Sequence, residues 1–137
     1  MKKILIVEDN PEMREVLKLE LELMGFEAIT AQNGKEGVKK ASSEKPHLVV
    51  LDILMPEMDG REAARLLRAN PQTKDIPILA ATVLFSDSDV QSCLQAGCND
   101  YVVKPFTYTL LEEKVRALCA EKDCFLAQPN NSWAHVC

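Results

Sequence analysis

Apolar residues in this chain fall into two alternating patterns. The first is a short uninterrupted run, such as Ile4-Leu5-Ile6-Val7 or Leu48-Val49-Val50-Leu51. Runs of this kind fit strands covered on both faces, as in a parallel sheet. With similar segments they give expected strands at 3–8, 26–31, 47–52, 76–82 and 100–103. The second pattern is a helical stripe at spacings of 3 and 4. Met13, Val16, Leu17, Leu21 and Met24 form one stripe, and Val90, Cys93, Leu94 and Gly97 form another. Leu111, Val115 and Leu118 form a third, with Leu110 beside it. All three are read as core. Shorter helices are expected at about 34–44 and 60–69.

Start and stop signals agree with this division. Asn10 can cap the first helix, with Pro11 at its first position and Gly25 past its end. Asn33 with Glu36, Asp59 with Glu62, and Ser86 with Asp89 have capping-box spacing, although only the last begins with Ser or Thr. Five βα units in succession imply a parallel sheet with helices on both faces. Residues 123–137 show neither period, and Pro129, Asn130 and Asn131 suggest a turn there. The expected organisation is one domain over 1–122, then a short tail over 123–137 that holds the single Trp, Trp133.

Composition narrows the classes. A length of 137 residues suits one domain with a sizeable core. The net charge of −5 argues against a general nucleic-acid or membrane surface. No apolar stretch approaches the roughly 20 residues of a membrane span. Met1-Lys2-Lys3 is followed by four apolar residues and then two acids, too short for a signal-peptide core. A cytoplasmic location is therefore expected. The five cysteines, Cys93, Cys98, Cys119, Cys124 and Cys137, contain no C-x-x-C and are read as plain thiols. Asn130-Asn131-Ser132 matches a glycosylation sequon that a cytoplasmic chain would not use. His47 is read as a strand-start residue and His135 as loop.

The chemistry gathers at strand ends. In a parallel sheet the strand C-termini point one way, so Glu8, Asp9, Asp52, Thr82 and the loop bearing Lys104 should share an edge. Open α/β sheets place their ligands at that edge. If three acids approach to about 4 Å, each like-charge pair costs roughly 4 kcal/mol at an effective dielectric of about 20. Lys104 offsets only part of this. Either one acid stays protonated or a divalent cation binds. Oxygen donors, with no imidazole or clustered thiolate nearby in sequence, favour Mg²⁺ over zinc. A carboxylate in such company is suited to take a phosphoryl group as a nucleophile. Lys104 and the cation would neutralise the equatorial oxygens, and the Thr82 hydroxyl would donate to one of them.

Four segments carry a resemblance. They are Ile-Leu-Ile-Val-Glu-Asp-Asn at 4–10, Leu-Asp-Ile-Leu-Met-Pro-Glu-Met-Asp-Gly at 51–60, Ala-Ala-Thr at 80–82 and Asp-Tyr-Val-Val-Lys-Pro-Phe at 100–106. In this order and spacing the chain resembles the receiver domain of two-component response regulators from about residue 2 to 121. The resemblance implies a flavodoxin-like doubly wound (βα)5 fold with a five-stranded parallel sheet in the order 2-1-3-4-5. It also implies that Asp52 accepts phosphate from a phosphohistidine on a sensor histidine kinase or phosphotransfer protein. Asp9 and Asp52 would ligate Mg²⁺ with the backbone carbonyl of Leu54, and Glu8 would act mainly through water. Lys104 would pair with Asp52 or the phosphoryl group, Thr82 and Tyr101 would form the switch pair, and Pro105 would follow a cis bond. The family often has a polar side chain beside the phosphate where this chain has Leu54 or Leu84. A long-lived phosphoryl group is therefore expected, and a dephosphorylation rate unchanged by Leu84→Glu would count against it.

The expected function is a phosphorylation-operated switch near helix 4, strand 5 and helix 5, signalling through protein–protein contact and not turning over a substrate. Such a receiver would be a monomer or a phosphorylation-dependent dimer, and it would neither bind nucleic acid directly nor enter a membrane. With about sixteen residues left after the last helix, a stand-alone receiver is expected. The alternative is a receiver excised from a longer regulator or hybrid kinase, although the apolar tail residues Phe125, Leu126, Trp133 and Val136 favour a true terminus. A Mg²⁺-dependent aspartyl phosphohydrolase would want a second acid where Leu54 stands, and a cap. A flavin module would want a Ser-, Thr- or Gly-rich loop in place of Glu8-Asp9-Asn10-Pro11.

Overall fold

Ile4 and Ile6 point to one side of their strand and Leu5 and Val7 to the other, and all four are sealed from solvent. That two-sided burial explains the unbroken apolar runs. In the computed structural model of the chain, residues 1–83 and 86–127 are described, with side chains as far as Ala120. The elements alternate as β1 (Lys3–Val7), α1 (Pro11–Leu23), β2 (Glu27–Ala31), α2 (Gly34–Glu44) and β3 (Leu48–Asp52). They continue as α3 (Gly60–Ala69), β4 (Ile78–Thr82), α4 (Asp87–Ala96), β5 (Asp100–Val103) and α5 (Tyr108–Ala127). All neighbouring strands are parallel, in the order β2-β1-β3-β4-β5. This is the flavodoxin-like doubly wound arrangement expected from the sequence.

The sheet separates two apolar layers. Ile4, Ile6, Val50 and Leu79 pack with Leu17 and Leu21 of α1 and Leu111 and Val115 of α5. Leu5, Val7, Val49, Leu51 and Ile78 pack with Ala63, Ala64 and Leu67 of α3 and Cys93 and Ala96 of α4. Each fully buried Leu or Ile contributes roughly 1.5–3 kcal/mol relative to exposure.

The caps stand where the polar residues announced them. Asn10 Oδ1 accepts from Met13 N at 3.0 Å and Asn33 Oδ1 from Glu36 N at 2.8 Å. Ser86 Oγ accepts from Asp89 N at 3.1 Å. Asp59 instead accepts from Arg61 N at 2.7 Å, one residue earlier than capping-box spacing predicts. Gly25 follows α1 in a left-handed conformation, φ 96°.

Element boundaries differ from expectation in instructive ways. β4 begins at Ile78, two residues late, because Pro77 has no N–H to donate, although its carbonyl still accepts from Val49 N at 3.0 Å. His47 lies just outside β3. Its N–H donates to Lys3 O at 2.7 Å and its Nδ1 accepts from Lys3 N at 3.0 Å, closing the strand start. α5 runs to Ala127, five residues beyond the expected boundary at 122. Nothing in 121–127 is Gly or Pro, so no local signal stops the helix before Pro129. Two stripe positions are not core: Val16 is 50% and Leu94 39% exposed. In each helix the sealed face is narrower than the apolar stripe, centred on Leu17 and Leu21 in α1 and on Cys93 and Ala96 in α4. Cys93, Cys98 and Cys119 are buried free thiols, and burial pushes Cys98 up to about 12. Leu84, Trp133, His135 and Cys137 lie outside the described residues, as does the side chain of Cys124.

Candidate functional site

Parallel pairing aligns the strand ends. Val7 pairs with Leu51, Asp52 with Ala81, and Thr82 with Val103. Asp52 therefore ends β3 level with the turn that follows β1, and Thr82 ends β4 level with the last residue of β5. Glu8 and Asp9 follow β1, with Glu8 N extending the ladder by donating to Ala31 O at 3.1 Å. Lys104 follows β5 and donates through its own N–H to Thr82 O at 2.8 Å. The Lys104–Pro105 peptide bond is cis.

The side chains converge on one point. Lys104 Nζ stands 2.8 Å from Glu8 Oε1 and 3.3 Å from Asp52 Oδ1. One oxygen from each of Glu8, Asp9 and Asp52 lies within 4.8 Å of the others. Glu8 is 2% and Asp52 5% exposed, so their charges are poorly screened. Burial, then the hydrogen bond to Glu8, pushes Asp52 up to about 8, and the charge of Lys104 pulls it back only in part. Burial would raise Glu8 too, but hydrogen bonds from Asp52 and Lys104 outweigh it and hold Glu8 below its ordinary range. Lys104 is raised: burial opposes its charge, and the Glu8 hydrogen bond with both carboxylate charges prevails. Without a cation, then, Glu8 is ionised and Asp52 keeps a proton into the neutral range.

Three carboxylate oxygens within 4.8 Å of one another are a set that could hold a metal ion. The cluster carries more carboxylate than one lysine can balance, and a divalent cation would take the place of the proton. Its ligands are hard oxygens, the set that suits Mg²⁺.

The remaining expected residues are placed as follows. Thr82 is buried at the carboxyl end of β4. Tyr101 pairs in register with Ala80, and its half-buried ring packs on the layer that holds Ile78 and Cys93. Lys114 Nζ lies 5.9 Å from the centre of that ring. Leu54 stands on the surface, 45% exposed. Glu8, Asp9, Asp52 and Lys104 are thus brought together. Thr82 closes the neighbouring strand end, and Tyr101 begins two positions further back.

Three supporting residues escaped sequence reading. Arg14 Nη1 donates to the Glu8 carbonyl at 2.9 Å, holding the turn after β1. Its signal was a basic residue in the first turn of the helix after two acids. Gly60 N donates to Ile53 O at 2.8 Å. A Cβ on Gly60 would clash with the Asp52 carbonyl oxygen and sit 2.7 Å from Ile53 Cα, so glycine lets the loop close under Asp52. Between them Glu57 adopts φ 66°, a left-handed conformation uncommon for a residue with a side chain.

Known proteins resemble this chain in sequence and fold. The family model described as "Response regulator receiver domain" matches residues 4–116. The chain belongs to that family. Among its relatives, a "Probable transcriptional regulator ycf27" of Cyanophora paradoxa is 41% identical over 85% of this chain and 48% of its own length. The "Alkaline phosphatase synthesis transcriptional regulatory protein PhoP" of Bacillus subtilis (strain 168) is 37% identical over 95% of this chain and 52% of its own. The chain therefore spans about half the length of the curated relatives it matches. A solved receiver domain from the sensor histidine kinase PA1611 of Pseudomonas aeruginosa PAO1 superposes with a TM-score of 0.81 at 32% identity, over 86% of this chain and 97% of that one. It is described as having a magnesium ion coordinated in its active site cleft. The two curated relatives are described as transcriptional regulators. The chain is a receiver of the two-component type, and no helix among the described residues is long and apolar enough to cross a membrane.

Proposed function

We propose that this receiver is a phosphorylation-operated switch in which Asp52 accepts the phosphoryl group. The observation that carries the reading is the sealed position of Asp52 beside Lys104 at 3.3 Å and two further carboxylates. An ionised Asp52 oxygen attacks phosphorus as the nitrogen–phosphorus bond of a donor phosphohistidine breaks, and the imidazole leaves with the bonding pair. Lys104 neutralises charge on the transferred group. Thr82, buried at the adjacent strand end, donates its hydroxyl to a phosphoryl oxygen, and Tyr101 responds from β5. Asp9, Asp52 and the Leu54 carbonyl would hold Mg²⁺, with Glu8 acting through water. When bound, the ion supplies charge neutralisation at the phosphoryl oxygens.

The donor is a sensor histidine kinase or a histidine phosphotransfer protein, and the output is protein–protein contact, by a monomer or a phosphorylation-dependent dimer in the cytoplasm. The working unit is 1–122, with 123–137 as an appendage. A second reading, a receiver serving inside a longer regulator, is favoured by relatives about twice as long as the stretch they share with this chain.

The test is incubation with Mg²⁺ and acetyl phosphate followed by intact mass. An adduct of about 80 Da, one phosphoryl group, is expected on the wild type. An adduct that persists in Asp52→Ala overturns the assignment.

A further inference from the structure

α4 is anchored lightly. Of its ten residues only Cys93 and Ala96 are buried, and both are small. α3 has the same length and buries Gly60, Ala63, Ala64 and Leu67. An element that buries little apolar surface opens or shifts at low cost in free energy. A hydrogen bond between side chains nevertheless ties α4 to α3: Arg61 Nη1 donates to Ser92 Oγ at 3.1 Å.

The other end of Arg61 is fixed. Its Nε donates to Asp59 Oδ1 at 3.1 Å and its Nη2 to Asp59 Oδ2 at 2.8 Å, a two-pronged pair. Asp59 is also the cap of α3. The adjoining Gly60 is locked against the backbone that leaves Asp52, through its 2.8 Å bond to Ile53 O and the space a Cβ would need. The guanidinium thus joins the loop that begins at Asp52 to the middle of a helix whose other bond from α3 lies at its C-terminal cap, where Arg68 Nε donates to Gly97 O at 3.0 Å. The planar guanidinium fork pairs with both Asp59 oxygens and still has Nη1 to donate to Ser92, a two-pronged geometry that the compact ammonium of a lysine does not reproduce.

We propose that Arg61 is a tether coupling the Asp52 loop to α4 through Ser92. The inference rests on the reading of Asp52 as phosphoryl acceptor. The bond belongs to the arrangement in which Asp52 is unmodified and held by Lys104. A shift of the 53–59 loop on modification strains or breaks it and releases α4. Coupling between sites is reciprocal, so weakening the tether at Ser92 must ease binding at Asp52.

The test uses the full chain with Mg²⁺ and beryllofluoride, a phosphoryl mimic, in titrations followed by fluorine NMR and by amide hydrogen exchange. Ser92→Ala leaves the Asp59 cap and the Arg61–Asp59 pair intact. It should bind beryllofluoride about two- to tenfold more tightly, the range of one net hydrogen bond. Without the mimic, amides of 87–96 should exchange faster by a similar factor while those of 60–69 do not change. Ser92→Thr, which keeps the hydroxyl, should behave as wild type. Binding that is unchanged or weaker in Ser92→Ala overturns the tether, as does equal loosening of 60–69. If the wild type binds no beryllofluoride and gains no mass from acetyl phosphate, the reading of Asp52 fails and the tether with it. A responsive wild type beside an unresponsive Ser92→Ala removes the tether alone.

Discussion

Val50 and Asp52 stand two residues apart on β3 and are almost equally hidden, 1% and 5% exposed. Burial of Val50 stabilises the fold. Burial of Asp52 works against it, because the carboxylate loses water and meets Glu8 before Lys104 can compensate. The same sheet therefore has an interior selected for packing and a carboxyl edge that stores unfavourable charge. Such crowded negative charge is relieved by an incoming cation.

The largest break in this contrast should come from the interior. Leu21→Ala, at a fully buried position of α1, should lower unfolding free energy by about 2–5 kcal/mol in a denaturant melt. The edge should respond with the opposite sign. Asp52 has a folded pKa of about 8 against an ordinary 3.8, so between these values the folded state holds a proton that the unfolded state has lost. Stability should fall as pH rises through that window and level off above it. Asp52→Asn should therefore stabilise the metal-free protein on the order of 2–4 kcal/mol at pH 8 and by almost nothing near pH 4. A gain that does not vary between those pH values would remove the charge-burial account.

Two smaller changes probe the loop that joins the regions. Gly60→Ala pushes a methyl group against the backbone of Asp52 and Ile53, and should cost about 1–3 kcal/mol in thermal stability while slowing phosphoryl transfer. Glu57→Gly relieves a left-handed backbone and should be neutral or stabilising, by roughly 0.5–1 kcal/mol. A loss there would mean that the Glu57 side chain holds the loop.

Much of this could be read from the chain alone. The unbroken runs at 4–7 and 48–51 announced strands buried on two faces, and Asn10, Asn33, Asp59 and Ser86 announced helix starts. Glu8, Asp9, Asp52 and Lys104 could be assigned to one edge because parallel strands place all their ends on the same side. Val16 and Leu94 were misread because periodicity identifies a stripe but not how much of it a neighbour covers. The continuation of α5 past 122 was not read because residues 123–127 carry no apolar stripe of helical period, although none of them breaks a helix.

Local pattern therefore settled which elements form, in what order, and which carboxylates meet, since backbone propensity and strand direction act over short distances. Tertiary packing settled the rest: which acid keeps the proton, why position 60 admits no Cβ, and that Arg61 reaches Ser92 thirty-one residues away. Those outcomes depend on desolvation and on ångström-scale contacts between separate elements, which exist only after the chain has closed on itself.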